Sequence, residues 1–78
     1  MKTTKYFDSI RTRPDRAMIK TQWIQFVIDN FEIETIQEDG RIRRWARIAE
    51  MENKYLRVIL LEDGATVHNA FFDRGFRP

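Results

Sequence analysis

The sequence predicts an α+β fold, in which an N-terminal helical segment packs on one face of a four-stranded antiparallel β-meander. Two hairpin signals predict the sheet, because apolar-rich runs flank an Asp-Gly dipeptide at 39–40 and again at 63–64. Apolar residues at helical spacing between positions 14 and 30 predict the helix. Short connections favour pairing of each strand with the next one, so no crossover is needed.

The helix is expected to begin at Pro14, whose missing N–H costs nothing in a first turn, and Asp15 suits the positive end of the helix dipole. One helix over 14–30 is predicted, or a division at Thr21 acting as an internal N-cap. For residues 1–13 the β-prone side chains predict a short edge strand. The residues expected to face the sheet are Ile19, Trp23, Ile24, Phe26, Val27 and Ile28.

The first hairpin is expected to pair strands 31–38 and 41–48 around a two-residue turn. This register places the following residues opposite one another: Glu32 and Arg47, Glu34 and Trp45, Ile36 and Arg43. The second face of the hairpin is mostly apolar but includes Arg44. An arginine there must meet a carboxylate or reach the rim of the sheet, because an unpaired buried charge is costly.

The second hairpin, 55–62 with 65–72, is expected to close through Asp63 and Gly64. Directly opposed residues share a face of the sheet. The face expected to meet the core carries Leu56, Val58, Leu60, Val67, Asn69 and Phe71. The face expected to point away from the core carries Tyr55, Arg57, Ile59, His68, Ala70 and Phe72.

Length and composition predict a single small domain over residues 1–78, present as a monomer or small homo-oligomer. The chain has no cysteine, which excludes disulfides and Cys-based zinc sites. The uncharged runs are too short to span a bilayer, and the start lacks the apolar stretch of a signal peptide. These features predict a reducing, cytoplasmic location and no membrane partner.

Several enzyme classes lack their motifs. There is no Gly-rich phosphate loop, and the single histidine, His68, cannot form a paired-histidine metal site. Ser9 is the only serine and does not lie in a nucleophile elbow. We therefore expect neither a protease nor a nucleoside-triphosphate enzyme, and no metal or cofactor.

A basic and aromatic stripe follows one face of the strand 41–48. It consists of Arg41, Arg43, Trp45 and Arg47. Arginine is well suited to phosphate, and an indole ring can stack on a base, so the stripe predicts an RNA-binding surface. The alternative interpretation is a solvated strand face paired with neighbouring carboxylates.

The remaining polar groups fit a ribonuclease that uses no metal. RNA supplies its own nucleophile, the 2′-OH, so the protein needs a base, an acid and positive charge at the phosphate. Arg57 can supply the charge, while His68 or Tyr55 can transfer protons, and Asp73 completes the set of polar groups. The alternative for His68 is an ordinary packed or hydrogen-bonded strand residue.

Residues 39–78 resemble the C-terminal half of the RelE/ParE/HigB superfamily of bacterial toxins, in which an arginine-rich strand precedes a Tyr-Arg-Val strand, here KYLRV at 54–58. By this resemblance Arg57 matches the family's strand arginine, and His68 matches its histidine before the terminal phenylalanine. The family's C-terminal basic residue matches Arg74 best, with Arg77 as the alternative. The front half, with Arg13 and Arg16 ahead of the helix, resembles small uncharacterised RelE-like domains of toxin–antitoxin operons.

The resemblance implies a RelE-like fold and the toxin of a toxin–antitoxin system, a metal-independent endoribonuclease, or mRNA interferase. Its substrate would be mRNA, free or on the ribosome, and its protein partner a cognate antitoxin. The catalytic residues would be Arg57, His68, Tyr55 and Arg74. Two alternatives stay open: a non-catalytic interaction module on the same fold, and a nucleic-acid-binding regulator.

Overall fold

The computed structural model describes residues 1–78 and consists of helices on one side of an open sheet. The elements in chain order are α1 (Lys5–Ile10), α2 (Pro14–Ala17), α3 (Thr21–Asn30), β1 (Ile33–Ile36), β2 (Ile42–Ile48), a 3₁₀ turn (Ala49–Met51), β3 (Lys54–Leu60) and β4 (Val67–Phe72). The sheet has the antiparallel order β1-β2-β3-β4. The predicted α+β class and four-stranded meander are confirmed. None of the helices combines the length and the apolar character needed to cross a membrane.

The predicted helix 14–30 is divided into α2 and α3, as the alternative prediction allowed. The N-cap of α3 is Lys20, in extended conformation, and Thr21 is the first helical residue. The Thr21 hydroxyl instead accepts a hydrogen bond from Arg11 Nη2 at 2.9 Å. The division was therefore predicted correctly and the capping residue was not.

Residues 1–13 form a helix and a single β-bridge rather than an edge strand. Thr3 bridges Val67 in parallel, and the Thr4 hydroxyl then caps α1 by accepting from the Phe7 N–H at 3.1 Å. A capping threonine satisfies a backbone donor that a helix start leaves free. The β-prone residues of this segment therefore begin a helix, which corrects the sequence prediction.

The core lies between the helices and one face of the sheet, with α3 across β2 and β3 and with α1 against β4. Its 13 buried residues are Phe7, Ile10, Ile19, Trp23, Ile24, Val27, Ala46, Ile48, Leu56, Val58, Leu60, Val67 and Ala70. The predicted core face of β3 is confirmed, as is burial of Trp23. Phe26 was expected in the core but is 46% exposed. It lies on the flank of α3, outside the stripe that faces the sheet.

The first hairpin is one residue out of the predicted register. Gly40 N–H donates to Gln37 O at 2.9 Å, Gln37 N–H donates to Arg41 O at 2.8 Å, and Gly40 has φ 89°. These contacts define a three-residue loop whose glycine has a left-handed conformation, instead of a two-residue turn. The observed pairs are Ile33 with Trp45, Glu34 with Arg44, Thr35 with Arg43, and Ile36 with Ile42.

The observed register gives hydrogen-bond partners to the guanidinium of Arg44, the charged residue on the core face. Its Nε donates to Glu34 Oε2 at 2.7 Å and its Nη1 donates to the Ile28 carbonyl at 3.1 Å. Its guanidinium also lies 4.5 Å from the ring centroid of Phe31. The expectation that Arg44 must find a carboxylate is confirmed, although Glu34 was expected opposite Trp45.

The second hairpin begins in the predicted register and leaves it at a β-bulge. Leu60 pairs with Val67 as expected, but Ile59 then pairs with Asn69, so His68 is the extra residue. Val67 exchanges backbone hydrogen bonds with Lys2 and Thr4 on its other side, at 2.9 and 3.0 Å. From the bulge onward the two faces of β4 are exchanged relative to the prediction. Ala70 is buried, whereas Asn69 and Phe71 lie on the face away from the core.

Asp63 closes the second hairpin with three hydrogen bonds to its carboxylate. The Thr66 hydroxyl donates to Oδ2, and the Ala65 and Thr66 N–H groups donate to Oδ1 at 2.9 Å. These donors, the Thr66 hydroxyl first, lower the pKa of Asp63 from 3.8 to about 2. A carboxyl group with a lowered folded-state pKa contributes stability above its unfolded pKa, and the contribution is lost as the pH falls.

We therefore expect Asp63→Asn to flatten the acid dependence of stability between about pH 4 and about pH 2. The measurement is the urea unfolding midpoint at successive pH values. Asp29→Asn is the control, because Asp29 accepts only from the Gln25 side chain. Identical acid profiles for wild type and Asp63→Asn would contradict the expectation.

Candidate functional site

The face of the sheet opposite α3, here called the outer face, carries most of the predicted site residues. Arg57 on β3 is at its centre, paired with Trp45 on β2 and Phe71 on β4. Tyr55 pairs with Arg47, and Ile59 pairs with Arg43. The outer face comprises Ile33, Thr35, Arg43, Trp45, Arg47, Tyr55, Arg57, Ile59, Asn69 and Phe71.

Arg57 is held between aromatic rings. Its guanidinium carbon lies 5.2 Å from the ring centroid of Trp45 and 5.3 Å from that of Phe71. Its Nη1 lies 3.5 Å from Asp73 Oδ2, and 20% of its side chain is exposed. Its Nε is buried without a hydrogen-bond partner. Burial lowers the pKa of Arg57, Arg43 adds to this effect, and the Asp73 carboxylate opposes it.

Arg43 gives this face a second poorly compensated charge. Its Nε is also buried without a hydrogen-bond partner. By contrast, Arg41 Nε lies 3.5 Å from Asp39 Oδ2, and Arg47 Nε lies 3.1 Å from Glu32 Oε2. The alternative of solvated, carboxylate-paired arginines therefore describes Arg41 and Arg47 but not Arg43. Burial of an unpaired donor is unfavourable, so the structure holds Arg43 and Arg57 at a cost in free energy.

Trp45 does not offer its ring to a nucleic acid base in this structure. It is 5% exposed, and Phe76 stacks on it at a centroid distance of 4.5 Å and an angle of 14°. Trp45 Nε1 donates to Asp73 Oδ2 at 3.0 Å, and Tyr55 contacts Phe76 edge-on at 5.0 Å. The segment 73–78 thus covers the predicted stacking surface, which corrects the expected role of Trp45.

His68 lies apart from Arg57. The His68 ring stacks on Tyr6 at 5.0 Å, and its Nδ1 is 3.1 Å from the Thr4 hydroxyl. Burial lowers the pKa of His68, Arg41 lowers it further, and Asp39 opposes both. Arg57 instead packs on Phe71, which is three residues along the chain from His68. The structure does not bring the two expected catalytic residues to one phosphate, because the bulge displaces His68.

Arg74 forms no ion pair and lies one residue beyond Asp73, the residue that contacts Arg57. It is exposed and lines a cavity beside Phe71 together with Arg16 and Lys54. Sequence reasoning missed the contribution of Phe71, which was expected in the core. The sequence indicated Asp73 as a polar group but assigned it no contact. Asp73 follows β4, where strand alternation no longer predicts on which face a side chain lies.

The fold and the outer face define an α+β protein with a cationic and aromatic sheet surface. No group of three or more His, Asp or Glu side chains is placed to hold a metal ion. No protein family model matches the chain, and neither a curated protein nor a solved structure matches it significantly. The RelE-like assignment therefore remains a prediction from the sequence.

Proposed function

We propose that the outer face binds RNA and that this RelE-like chain is the toxin of a toxin–antitoxin system, a metal-independent endoribonuclease. The observation that carries the proposal is the pair of half-buried arginines, Arg43 and Arg57, whose Nε groups lack partners. The resemblance of residues 39–78 supports it, because Arg57 is the residue that matches the family's strand arginine.

Guanidinium groups in this setting are well suited to a phosphate that gains charge during a reaction. Arginine presents several donors in a planar arrangement that matches phosphate oxygens. Partial burial strengthens the interaction, since the local dielectric is lower than in water. Asp73 neutralises only one of the two arginines, so the centre of the outer face keeps a net positive charge.

In the proposed reaction, Asp73 and Tyr55 transfer the protons, and His68 does not. A phosphate bound at Arg57 competes with Asp73, whose carboxylate oxygen is 3.5 Å from Arg57 Nη1. Asp73, displaced from Arg57 but still accepting a hydrogen bond from Trp45 Nε1, accepts the 2′-OH proton as the 2′-oxygen attacks phosphorus. Tyr55, two residues from Arg57 on the same strand face, donates a proton to the departing 5′-oxygen. The products are a 2′,3′-cyclic phosphate and a 5′-hydroxyl.

The proposed substrate is mRNA in the cytoplasm, free or bound to the ribosome. The cognate antitoxin would neutralise the chain by covering the outer face. Because Arg43 and Arg57 both lie there, an antitoxin segment with carboxylates would compete with the RNA phosphate for the same two guanidinium groups.

The direct experiment incubates the purified chain with RNA in EDTA, with and without translating ribosomes. We expect cleavage that leaves 2′,3′-cyclic phosphate ends, and growth arrest when the chain is expressed alone. Intact RNA under both conditions together with unimpaired growth would exclude the toxin function.

Binding is tested separately through the salt dependence of RNA affinity. Arg43→Ala should weaken binding at low salt and reduce the salt slope by about one phosphate contact. Arg47→Ala should have a smaller effect, since Arg47 is 56% exposed and already paired with Glu32. Lys5→Ala, which removes an exposed positive charge from α1, is the control.

A second candidate is a nucleic-acid-binding regulator without catalysis. The separation of His68 from Arg57 favours it, because the only histidine is then not placed for proton transfer at the arginine-bound phosphate. A regulator of this kind should bind RNA in a salt-dependent manner, and none of the variants should cleave it. A non-catalytic interaction module should show neither RNA binding nor RNA cleavage.

A further inference from the structure

A cavity of about 350 Å³ lies between the short helix α2, the 3₁₀ turn and the strands β3 and β4. Its polar lining includes Arg16 from α2, Lys54 at the start of β3, and Arg74 after β4. Its apolar lining includes Met18, Met51 and Phe72. Cavities of this size hold small organic ligands in proteins.

The charge of this cavity is predominantly positive. Asp15 is its only carboxylate, and it is already in contact with Arg16. Lys54 Nζ lies 3.9 Å from the exposed Glu52 carboxylate, which leaves most of its hydrogen-bonding capacity free. Arg74 makes no ion pair. A ligand with a negatively charged group is therefore favoured.

The cavity adjoins the outer face through the ring of Phe71. The Arg16 guanidinium carbon lies 5.1 Å from the centroid of Phe71, and the Arg57 guanidinium carbon lies 5.3 Å from it. Arg16 Nε also lies 3.5 Å from the side-chain oxygen of Asn69 on β4, a long contact that places the arginine beside that strand. A single extended ligand can therefore contact Arg57 and enter the cavity.

The apolar lining suits a flat, mostly apolar group next to that charge. Met18 is 50% exposed, and Met51 and Phe72 are partly buried against the core. Thioether side chains adapt to flat ring systems and make favourable contacts with them. Positive charge on one part of the lining and adaptable apolar groups on another match a phosphate joined to a nucleobase.

We infer that this cavity binds one nucleotide of the RNA, adjacent to the phosphate held by Arg57. Arg16, Lys54 and Arg74 hold its phosphate, and Met18 and Met51 contact its base. The inference rests on the proposed function, because it assigns a substrate subsite. It also gives Arg74 a role in substrate binding at a position separate from the reacting phosphate.

The test titrates the full chain with a nucleoside 5′-monophosphate, the matching nucleoside and inorganic phosphate, followed by calorimetry and by NMR shifts of backbone amides. We expect the monophosphate to bind more tightly than either fragment and to shift the amides of 16–18, 51–54 and 71–74. Lys54→Ala and Arg74→Ala should each weaken binding about tenfold. Lys5→Ala, an exposed lysine on α1, should leave it unchanged.

The outcomes separate this subsite from the proposed ribonuclease activity, because the titration involves no cleavage. Nucleotide binding that is insensitive to Lys54→Ala and Arg74→Ala would overturn the subsite even if RNA is cleaved. Binding of an acidic peptide at these residues in preference to the monophosphate would overturn it as well. Lys54-dependent nucleotide binding by a chain that cleaves no RNA would support the subsite and count against the ribonuclease.

Discussion

Replacing Leu56 by aspartate should unfold the domain. Leu56 is fully buried on β3, between Ala46 on β2 and Phe72 on β4, so an introduced carboxylate would find no polar partner beside it. An unpaired buried charge costs about 4 kcal/mol or more. A domain of this size has a total stability of about 4–12 kcal/mol. Circular dichroism and urea unfolding should show a lost or strongly shifted transition.

Ile59→Asp is the matched control, since Ile59 lies on the outer face of the same strand, beside Arg43. It should retain a cooperative transition. Val58 is a less decisive position than Leu56, because it pairs with Arg44, whose guanidinium can meet an introduced carboxylate. A near-native melting temperature for Leu56→Asp would show that the core has been assigned to the wrong face.

Under the proposed ribonuclease function, replacing Arg57 by alanine should abolish detectable RNA cleavage and growth arrest while changing RNA affinity much less. The charge of Arg57 matters most when the phosphate gains charge in the transition state. Removing one such donor typically lowers the rate about 10²–10³-fold. The RNA affinity should fall only by the amount that the loss of about one phosphate contact causes. Single-turnover cleavage and low-salt binding of the same RNA measure the two quantities.

Arg57→Lys and Arg47→Ala are the controls for this variant. Lysine keeps the charge but not the planar set of donors, so it should recover part of the binding and little of the rate. Arg47→Ala removes a charge from the same face, where the side chain is paired with Glu32, and should retain cleavage. Melting temperatures of all three variants show whether the contacts of Arg57 with Trp45 and Asp73 were needed for folding. If the Arg57→Ala variant folds and cleaves RNA at the wild-type rate, Arg57 has no role in the reaction.

Much of the candidate site could be predicted from the sequence, because alternation within a strand is a local property. Tyr55 and Arg57 share a face by spacing alone. Strands β2 and β3 pair without irregularity, which places Trp45 opposite Arg57 and Arg43 one pair further along the same face. Asp73 and Phe71 could not be assigned to Arg57 in this way. Their positions depend on the path of β4 after the bulge and on the return of segment 73–78 over Trp45.

The sequence by itself determined the α+β class, the two hairpins and the buried face of β3, since Asp-Gly turns and apolar alternation are read from neighbouring residues. Only the tertiary structure decided the register. The first loop takes three residues, with Gly40 in a left-handed conformation. On β4, Val67 is hydrogen-bonded to Lys2 and Thr4, remote in sequence, and His68 bulges next to it. Because strand side chains alternate with a period of two, one extra residue exchanges the faces of the residues beyond it, so Phe71 instead of Ala70 lies opposite Arg57. His68, the extra residue itself, packs against Tyr6 and Thr4.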